Sequence, residues 1–342
     1  MSEISSPQTF ADLYTDLLNR AREDTRKDAV KNQAKRYINT ALLDMHNGFA
    51  ENFPWAQRSA VLLTNQTYSD GTIILTQGAN TIGGVGTAFT TSNGHFANMR
   101  PGGKVVASGD ASPYEVGSVL IGTGALFVNN WIPATTAGAG VSYTYYEDEY
   151  DLASDFLRPV DQQNFADNLP IELVGSQEFR RRWPRNAAFG WPGIATIIDR
   201  EDITNANEDP VRRIRFNPVP NAFLRIPYSY ITKYLVVGTD GVAQEDFIDD
   251  LDEPIVPRRY RHLIVLHALG TWYRDKKDDA RSLEVRQEYV DGVSRAVGDF
   301  EIGAQKPQFR PRLETYVRRA KRPWRGGGHY DLNGRFDRME DR

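Results

Sequence analysis

Residues 30–45 read Val30-Lys-Asn-Gln-Ala-Lys-Arg-Tyr-Ile-Asn-Thr-Ala-Leu-Leu-Asp-Met45, and beyond Trp55 the chain changes character. Apolar side chains recur every three or four positions in this stretch, which predicts an amphipathic helix. A shorter helix is predicted before it, from Phe10 onward, with Thr9 as its N-terminal cap. After Trp55 the apolar residues come instead in short runs separated by turn-forming residues, which predicts strands.

The strand-like segment defines a predicted all-β module over residues 59–148. No amphipathic helix interrupts this segment, and its spacing is typical of a small sandwich or barrel. Its glycine-rich run, Gly83-Gly-Val-Gly86, is not followed by the Lys and the helix that a phosphate loop needs, so it is interpreted as turns between strands. The predicted strands are Val61-Leu-Leu63, Thr72-Ile-Ile-Leu-Thr76, Lys104-Val-Val106, Tyr114-Glu-Val116, Leu126-Phe-Val128 and Val141-Ser-Tyr-Thr-Tyr-Tyr146.

Helical spacing returns after Pro257, where two further helices are predicted up to about residue 300. Between the module and these helices, alternation near residues 211–236 predicts a β pair, in which Pro227 favours an edge position. The fold class predicted is therefore α+β. A discontinuous helical domain, residues 1–58 and 149–302, would carry the inserted β module.

The last segment, residues 303–342, is predicted to be a basic, extended C-terminal arm. From Lys306 to Arg342 there are eleven Lys or Arg against five Asp or Glu, whereas the whole chain has a net charge of −4. By contrast, residues 245–253 carry six acids and no base. This asymmetry indicates that the arm meets an acidic protein surface or nucleic acid; a solvated tail is the alternative.

The sequence predicts no catalytic, cofactor-binding or metal-binding residue, and so predicts that the protein is not an enzyme. The chain has no cysteine, which excludes thiolate nucleophiles and cysteine-ligated zinc. His262 and His267 are five apart, so they are poorly placed for one helix face, and no His-Glu-x-x-His motif is present. The acids Glu147-Asp-Glu149, Asp151 and Asp155 are interpreted as solvated charges around the end of a strand.

Two arginine-rich runs favour partner binding, because Arg and Trp are the residues that most often dominate interface energies. The first, Arg180-Arg-Arg-Trp-Pro-Arg185, is predicted to be a loop. The second lies in the arm, where a protein groove is favoured over stacking on nucleic acid, although this composition is compatible with both. The predicted partner-binding residues are Arg181, Trp183, Arg318, Arg319, Lys321, Arg322, Trp324 and Arg325.

The order of these pieces resembles the phage head-to-tail connector (adaptor) proteins that join the portal to the tail. The resemblance spans most of residues 10–300 and rests on order, because each motif alone is common. The motifs are Phe10-Ala-Asp-Leu13, Ile38-Asn-Thr-Ala41, Phe53-Pro-Trp55, Tyr68-Ser-Asp-Gly-Thr72, Val85-Gly-Thr-Ala-Phe89, Tyr114-Glu-Val116, Tyr150-Asp-Leu-Ala-Ser-Asp-Phe156, Phe216-Asn-Pro218, Ile226-Pro-Tyr228 and Pro254-Ile-Val-Pro-Arg-Arg-Tyr260.

The resemblance implies a structural protein of the virion, located at the head–tail junction and assembled in the host cytoplasm. Such a protein forms a ring of identical copies, usually twelve, between the portal protein and a tail, nozzle or hub protein. Genomic DNA passes through the channel without sequence-specific binding. The helices would form the ring, and the C-terminal arm would reach the portal or a neighbouring copy.

Three other functions are compatible with the sequence. A tail hub or neck protein would share the same composition, and a carbohydrate-binding tail protein is weakly favoured by the β module and the six tryptophans. A virion hydrolase would need a catalytic carboxylate, which no motif identifies. No membrane partner is predicted, because no apolar run approaches the ~18 residues of a membrane span and the N-terminus lacks the features of a signal peptide.

Overall fold

A computed structural model provides the structure of the protein and divides the chain into two compact units, Met1–Val293 and Ser294–Arg342. The structure describes residues 9–49, 53–91, 96–110, 112–120, 125–128, 132, 138–184, 188–200, 211–304, 328–330 and 336–338.

The described helices and strands confirm mixed α and β content. The helices are α1 (Phe10–Ala21), α2 (Asp28–Phe49), α3 (Ser176–Arg182), α4 (Arg261–Asp275) and α5 (Asp279–Ala304). The strands before α3 are β1 (Gln57–Leu63), β2 (Thr72–Leu75), β3 (Thr81–Val85), β4 (Lys104–Ala107), β5 (Tyr114–Leu120), β6 (Ala125–Val128), β7 (Gly138–Val141), β8 (Tyr143–Tyr146), β9 (Glu149–Asp151), β10 (Phe156–Pro159) and β11 (Glu172–Leu173). The later strands are β12 (Ile194–Arg200), β13 (Val211–Asn217), β14 (Arg225–Thr232), β15 (Val236–Val237), β16 (Ala243–Gln244), β17 (Glu253–Pro254), β18 (Gly328–Tyr330) and β19 (Phe336–Arg338).

The two predicted N-terminal helices are confirmed, and the first has the predicted cap. The Thr9 hydroxyl accepts a hydrogen bond from the Asp12 N–H at 3.3 Å, and the Asp12 carboxylate accepts one from the Thr9 N–H at 3.1 Å. This reciprocal pair satisfies two of the N–H groups that a helix start leaves without a partner. Helix α1 ends at Ala21, and the left-handed backbone of the next residue, Arg22 (φ 57°), turns the chain toward α2.

The two predicted C-terminal helices are also confirmed, and α4 packs against both α1 and α2. The Tyr37 ring meets Trp272 edge-on at 5.5 Å, and the Tyr37 hydroxyl donates to Asp275. The Tyr273 hydroxyl donates to the Arg20 carbonyl at 3.3 Å. Helices from opposite ends of the sequence therefore form one packed group within the first unit.

In the sequence between α2 and α4, the chain forms a seven-stranded antiparallel sheet with the order β7-β2-β3-β6-β5-β4-β8. Its edge strands β7 and β8 are separated in the chain by Ser142 alone, so the two edges of the sheet come together there. One apolar cluster, with Ile73, Val105 and Leu126 fully buried, belongs to this sheet. Where the chain enters and leaves the sheet, Tyr68 and Tyr145 exchange backbone hydrogen bonds of 3.0 and 2.7 Å.

A glycine next to β2 gives a test of this packing. Gly71 has φ +78°, and a Cβ there would lie 2.6 Å from the Val85 carbonyl oxygen, whereas Gly78 has φ +74° and open space around it. We expect Gly71→Ala to lower the free energy of unfolding by about 2–4 kcal/mol, and Gly78→Ala by about 1 kcal/mol, because only the first adds a clash to the backbone strain. Urea denaturation of both variants measures the difference, and equal losses would contradict the close approach.

Two corrections concern the strands outside this sheet. β1, which contains the predicted module strand Val61-Leu-Leu63, pairs instead with β14 in a three-stranded sheet of order β1-β14-β10. The predicted β pair near 211–236 is wrong, because β13 and β14 belong to different sheets. β13 lies between β12 and β9 in a four-stranded sheet of order β11-β12-β13-β9. Each sheet joins strands that are distant in sequence, β1 with β14 and β9 with β13, around a shared apolar core that contains Phe156, Ile214 and Tyr228.

The remaining described parts are small. β15 pairs with β16 and β17 in a third antiparallel sheet. In the second unit, β18 and β19 form an antiparallel pair, and α5 continues to Ala304, just past the predicted start of the arm. Among the described residues, the helices are too short or too polar to cross a membrane.

Candidate interaction surfaces

The first three arginines of the first arginine-rich run, Arg180–Arg182, are the last turn of a helix and not part of the predicted loop. α3 ends at Arg182, and the Trp183 N–H donates to the Phe179 carbonyl at 2.9 Å. Phe179 is buried and anchors the helix next to β12, so one apolar side chain is enough to order a run that looks wholly polar. Arg180, Arg181 and Arg182 are exposed, and the half-buried Trp183 packs 5.5 Å from the Phe179 ring.

Two exposed aromatic side chains lie in the segment that leads from α3 into β12. Trp191 is 57% exposed and Phe189 44%. Backbone hydrogen bonds on either side of Phe189, from the Gly190 N–H to the Val219 carbonyl and from the Val219 N–H to the Ala188 carbonyl, fix this segment. We call Arg180–Arg182, Trp183, Phe189 and Trp191 the arginine–tryptophan face.

The acidic segment, residues 245–253, forms an ordered loop, which we call the acidic loop. The buried Asp252 carboxylate accepts N–H bonds from Ile248 and Asp249, both 2.8 Å, and a bond from the Gln244 amide at 2.6 Å. Burial alone would raise the pKa of Asp252, but these hydrogen bonds outweigh it and hold the pKa below the ordinary value of 3.8. Asp252 therefore stays ionised and organises the loop from within.

The acidic loop also covers the first turn of α1. The Phe10 and Ala11 N–H groups donate to the carbonyls of Asp252 and Asp250, each at 2.9 Å. The Phe247 ring stacks on Phe10 with centroids 4.5 Å apart. Three of its acids pair with cations of the same chain, Glu245 with Lys233, Asp250 with Lys35 and Glu253 with Arg261. Ile248 and Leu251, by contrast, are 72% and 67% exposed.

A buried ionic cluster lies where the seven-stranded sheet meets the four-stranded one. The Glu147 carboxylate accepts from the Tyr145 hydroxyl at 2.6 Å and the Asn65 amide at 2.8 Å, and it pairs with Arg100. Asp148 pairs with Lys104 at 2.7 Å and with Arg215 at 3.0 Å. The interpretation of Glu147 and Asp148 as solvated charges is wrong, since they are 4% and 1% exposed.

The hydrogen bonds and ion pairs of this cluster favour a structural role over a catalytic one. Burial raises the pKa of Tyr145, and the charge of Glu147 raises it further, so the hydroxyl remains a proton donor to that carboxylate. Burial likewise raises the pKa of Tyr146 to about 12. A cleft of about 550 Å³ opens beside the cluster, but Glu147 already accepts several hydrogen bonds and Asp151 pairs with Arg213.

The other candidate groups are engaged within the fold. The Asp155 carboxylate accepts from the hydroxyls of Tyr230 and Thr232, at 2.6 and 2.8 Å. Burial lowers the pKa of His46 and of His267, and His267 packs edge-on against Tyr289 at 4.9 Å. Within the described part of the chain, no group of three or more His, Asp or Glu side chains could hold a metal ion.

The structure places only some of the predicted partner-binding residues. Arg181 and Trp183 lie together on the arginine–tryptophan face. Arg185 and the arm residues lie outside the described residues; the latter are Arg318, Arg319, Lys321, Arg322, Trp324 and Arg325. Sequence reasoning did not find Phe189, Trp191, Ile248 or Leu251 as surface residues, and only their position beside the charged runs could have indicated them.

No known protein family matches the chain, and no curated protein sequence is significantly similar to it.

Proposed function

We propose that the protein is a structural component of a phage particle, which forms an oligomeric ring between the portal of the head and the tail and lets DNA pass through its channel. The observation that carries this proposal is the packing of α4 on α1 and α2. It joins helices from opposite ends of the chain, with β-rich segments between them. This arrangement fits the proposed architecture, in which a discontinuous helical connector domain bears an inserted β module and an extended arm.

The charge distribution supports self-association into a ring. The arginine–tryptophan face rests on β12, whereas the acidic loop rests on α1, so surfaces of opposite charge are built on different elements. A head-to-tail contact between unlike surfaces generates a ring when its rotation closes. The chain thus carries the two unlike surfaces that such a ring needs.

The buried ionic cluster supports a mechanical role for the fold around it. Glu147 and Asp148 each meet basic side chains from other segments, with Arg100 and Lys104 on one side and Arg215 on the other. Such pairing resists separation, because pulling one partner away leaves a buried charge without compensation. A part of a particle under pressure from packaged DNA would benefit from this resistance.

Negative-stain electron microscopy tests the proposal. We expect the purified protein, mixed with the portal encoded in the same genome, to form rings stacked on the tail-facing end of the portal. The protein alone and the portal alone are the controls. Absence of any association with an intact portal would contradict the connector function and would favour a tail hub or neck protein. Binding on a glycan array would then identify a carbohydrate-binding tail protein.

A further inference from the structure

We infer that the acidic loop of one copy docks on the arginine–tryptophan face of a second copy. This inference rests on the proposed function, because the contact would be the one that repeats around the ring. It assigns each of the two surfaces as the partner of the other. It also gives the two arginine-rich runs different partners: residues 180–183 bind the neighbouring copy, and the basic arm binds the portal.

The acidic loop has the form of a preorganised binding element. Its backbone is fixed from inside by Asp252 and from beneath by α1 and the Phe10–Phe247 stack. Little conformational entropy is therefore lost when the loop binds, which favours affinity. Outward, it presents the aliphatic side chains of Ile248 and Leu251, bordered by the exposed Asp246 and Asp249.

The arginine–tryptophan face complements this loop in both chemistry and order. Its exposed aromatic side chains, Phe189 and Trp191, can cover the aliphatic pair, and Arg180 and Arg181 supply the positive charges. The face is also fixed, since α3 is anchored by Phe179 and the segment around Phe189 is bonded to Val219. Aromatic and arginine side chains are enriched at the centres of protein interfaces, and opposite charge steers the two surfaces together.

Site-specific cross-linking tests the contact, and a chain with no cysteine is suited to it. We would prepare full-length Arg181→Cys and Asp249→Cys, mix them in the presence of the portal, and treat them with a short bis-maleimide. We expect a covalent dimer to form from the mixture at least about tenfold faster than from either variant alone, because the contact joins unlike surfaces whose opposite charges steer association. A chain carrying both substitutions should give a ladder of dimers, trimers and larger species.

Two controls define the outcome. Arg281→Cys replaces an arginine that is 62% exposed on α5 and should not cross-link to Asp249→Cys above background. Arg318→Cys places the thiol on the basic arm, and its preferential cross-linking to Asp249→Cys would show that the arm occupies the acidic loop and would overturn the inference. Rings on the portal without the 181–249 cross-link would overturn this contact and leave the connector function standing. A ladder without portal binding would support the contact and contradict that function.

Discussion

Replacement of Asp148 by Asn is expected to lower the free energy of unfolding by about 3–5 kcal/mol, because it removes one partner of a buried ion pair. Asp148 is 1% exposed and pairs with both Lys104 and Arg215. The Asn amide has nearly the same shape but carries no charge, so Arg215 would lose its carboxylate partner and Lys104 would keep the longer contact to Glu149, at 3.6 Å. Urea denaturation followed by tryptophan fluorescence measures the loss as a lower midpoint at unchanged slope.

Asp151→Asn is the matched control for this prediction. Asp151 lies three residues further along the chain and also pairs with an arginine, Arg213, but its side chain is 62% exposed. Water replaces much of an exposed ion pair, so we expect a loss of about 0–1 kcal/mol. Similar losses for Asp148→Asn and Asp151→Asn would show that the burial of the cluster does not determine its contribution.

Deletion of residues 306–342 is expected to abolish attachment to the portal and to leave the rest of the chain folded. The deleted arm has a net charge of +6 from eleven basic and five acidic residues, and α5 ends before it, at Ala304. Co-sedimentation with the portal measures attachment, and circular dichroism with thermal unfolding checks the fold. Unchanged attachment of the truncated protein would contradict the proposed role of the arm.

Two full-length variants separate the charge of the arm from its aromatic anchor. Replacing Arg318, Arg319, Lys321, Arg322 and Arg325 together by Gln should weaken portal binding and also make the remaining binding less sensitive to salt, because exposed charges act over about a Debye length. Trp324→Ala should weaken portal binding about 30-fold or more if the indole side chain fills a pocket on the portal, because truncation of such interface anchors has effects of this size. Loss in the truncated protein alone would instead point to another part of the arm.

The helices could be predicted from the sequence because their signals are local. Thr9 and Asp12 are three residues apart, and the apolar stripes of α1 and α2 repeat within a few turns. A capping box and a helical stripe therefore lie within a window that sequence inspection covers. The one local failure was α3, where a single buried side chain, Phe179, orders a run of charged residues.

Strand pairing could not be predicted, because its partners are distant in the chain. Residues 211–217 and 225–232 alternate clearly, yet they do not pair with each other, and their distant partners are β9 and β1. Pro227 shows the same limit, since β14 is the central strand of its sheet and not an edge. A proline is tolerated there because β10 pairs with β14 only at residues 230–232, so Pro227 lies beyond the end of the β10–β14 ladder and needs no N–H for it. The Pro227 carbonyl instead accepts a hydrogen bond from the Asp167 N–H.

The candidate surfaces were predicted in part. Residue type identified Arg181 and Trp183, because those residue types favour interfaces wherever they are exposed. The burial of Glu147 and Asp148 was missed, since their cations come from positions 100, 104 and 215 and no short motif links them. Charge in a sequence indicates a partner, but only the fold shows whether that partner is water, the same chain or another molecule.

The place where the chain enters and leaves the seven-stranded sheet has an evolutionary consequence. Tyr68 and Tyr145 are bonded to each other through their backbones, and the Asn65 side chain reaches Glu147. A segment whose two ends meet in this way can be lengthened or shortened at its turns without changing the register of β1 with β14 or of β9 with β13, as long as Arg100 and Lys104 still reach Glu147 and Asp148. Changes confined to the turns of this sheet would therefore leave the arginine–tryptophan face and the acidic loop unaltered.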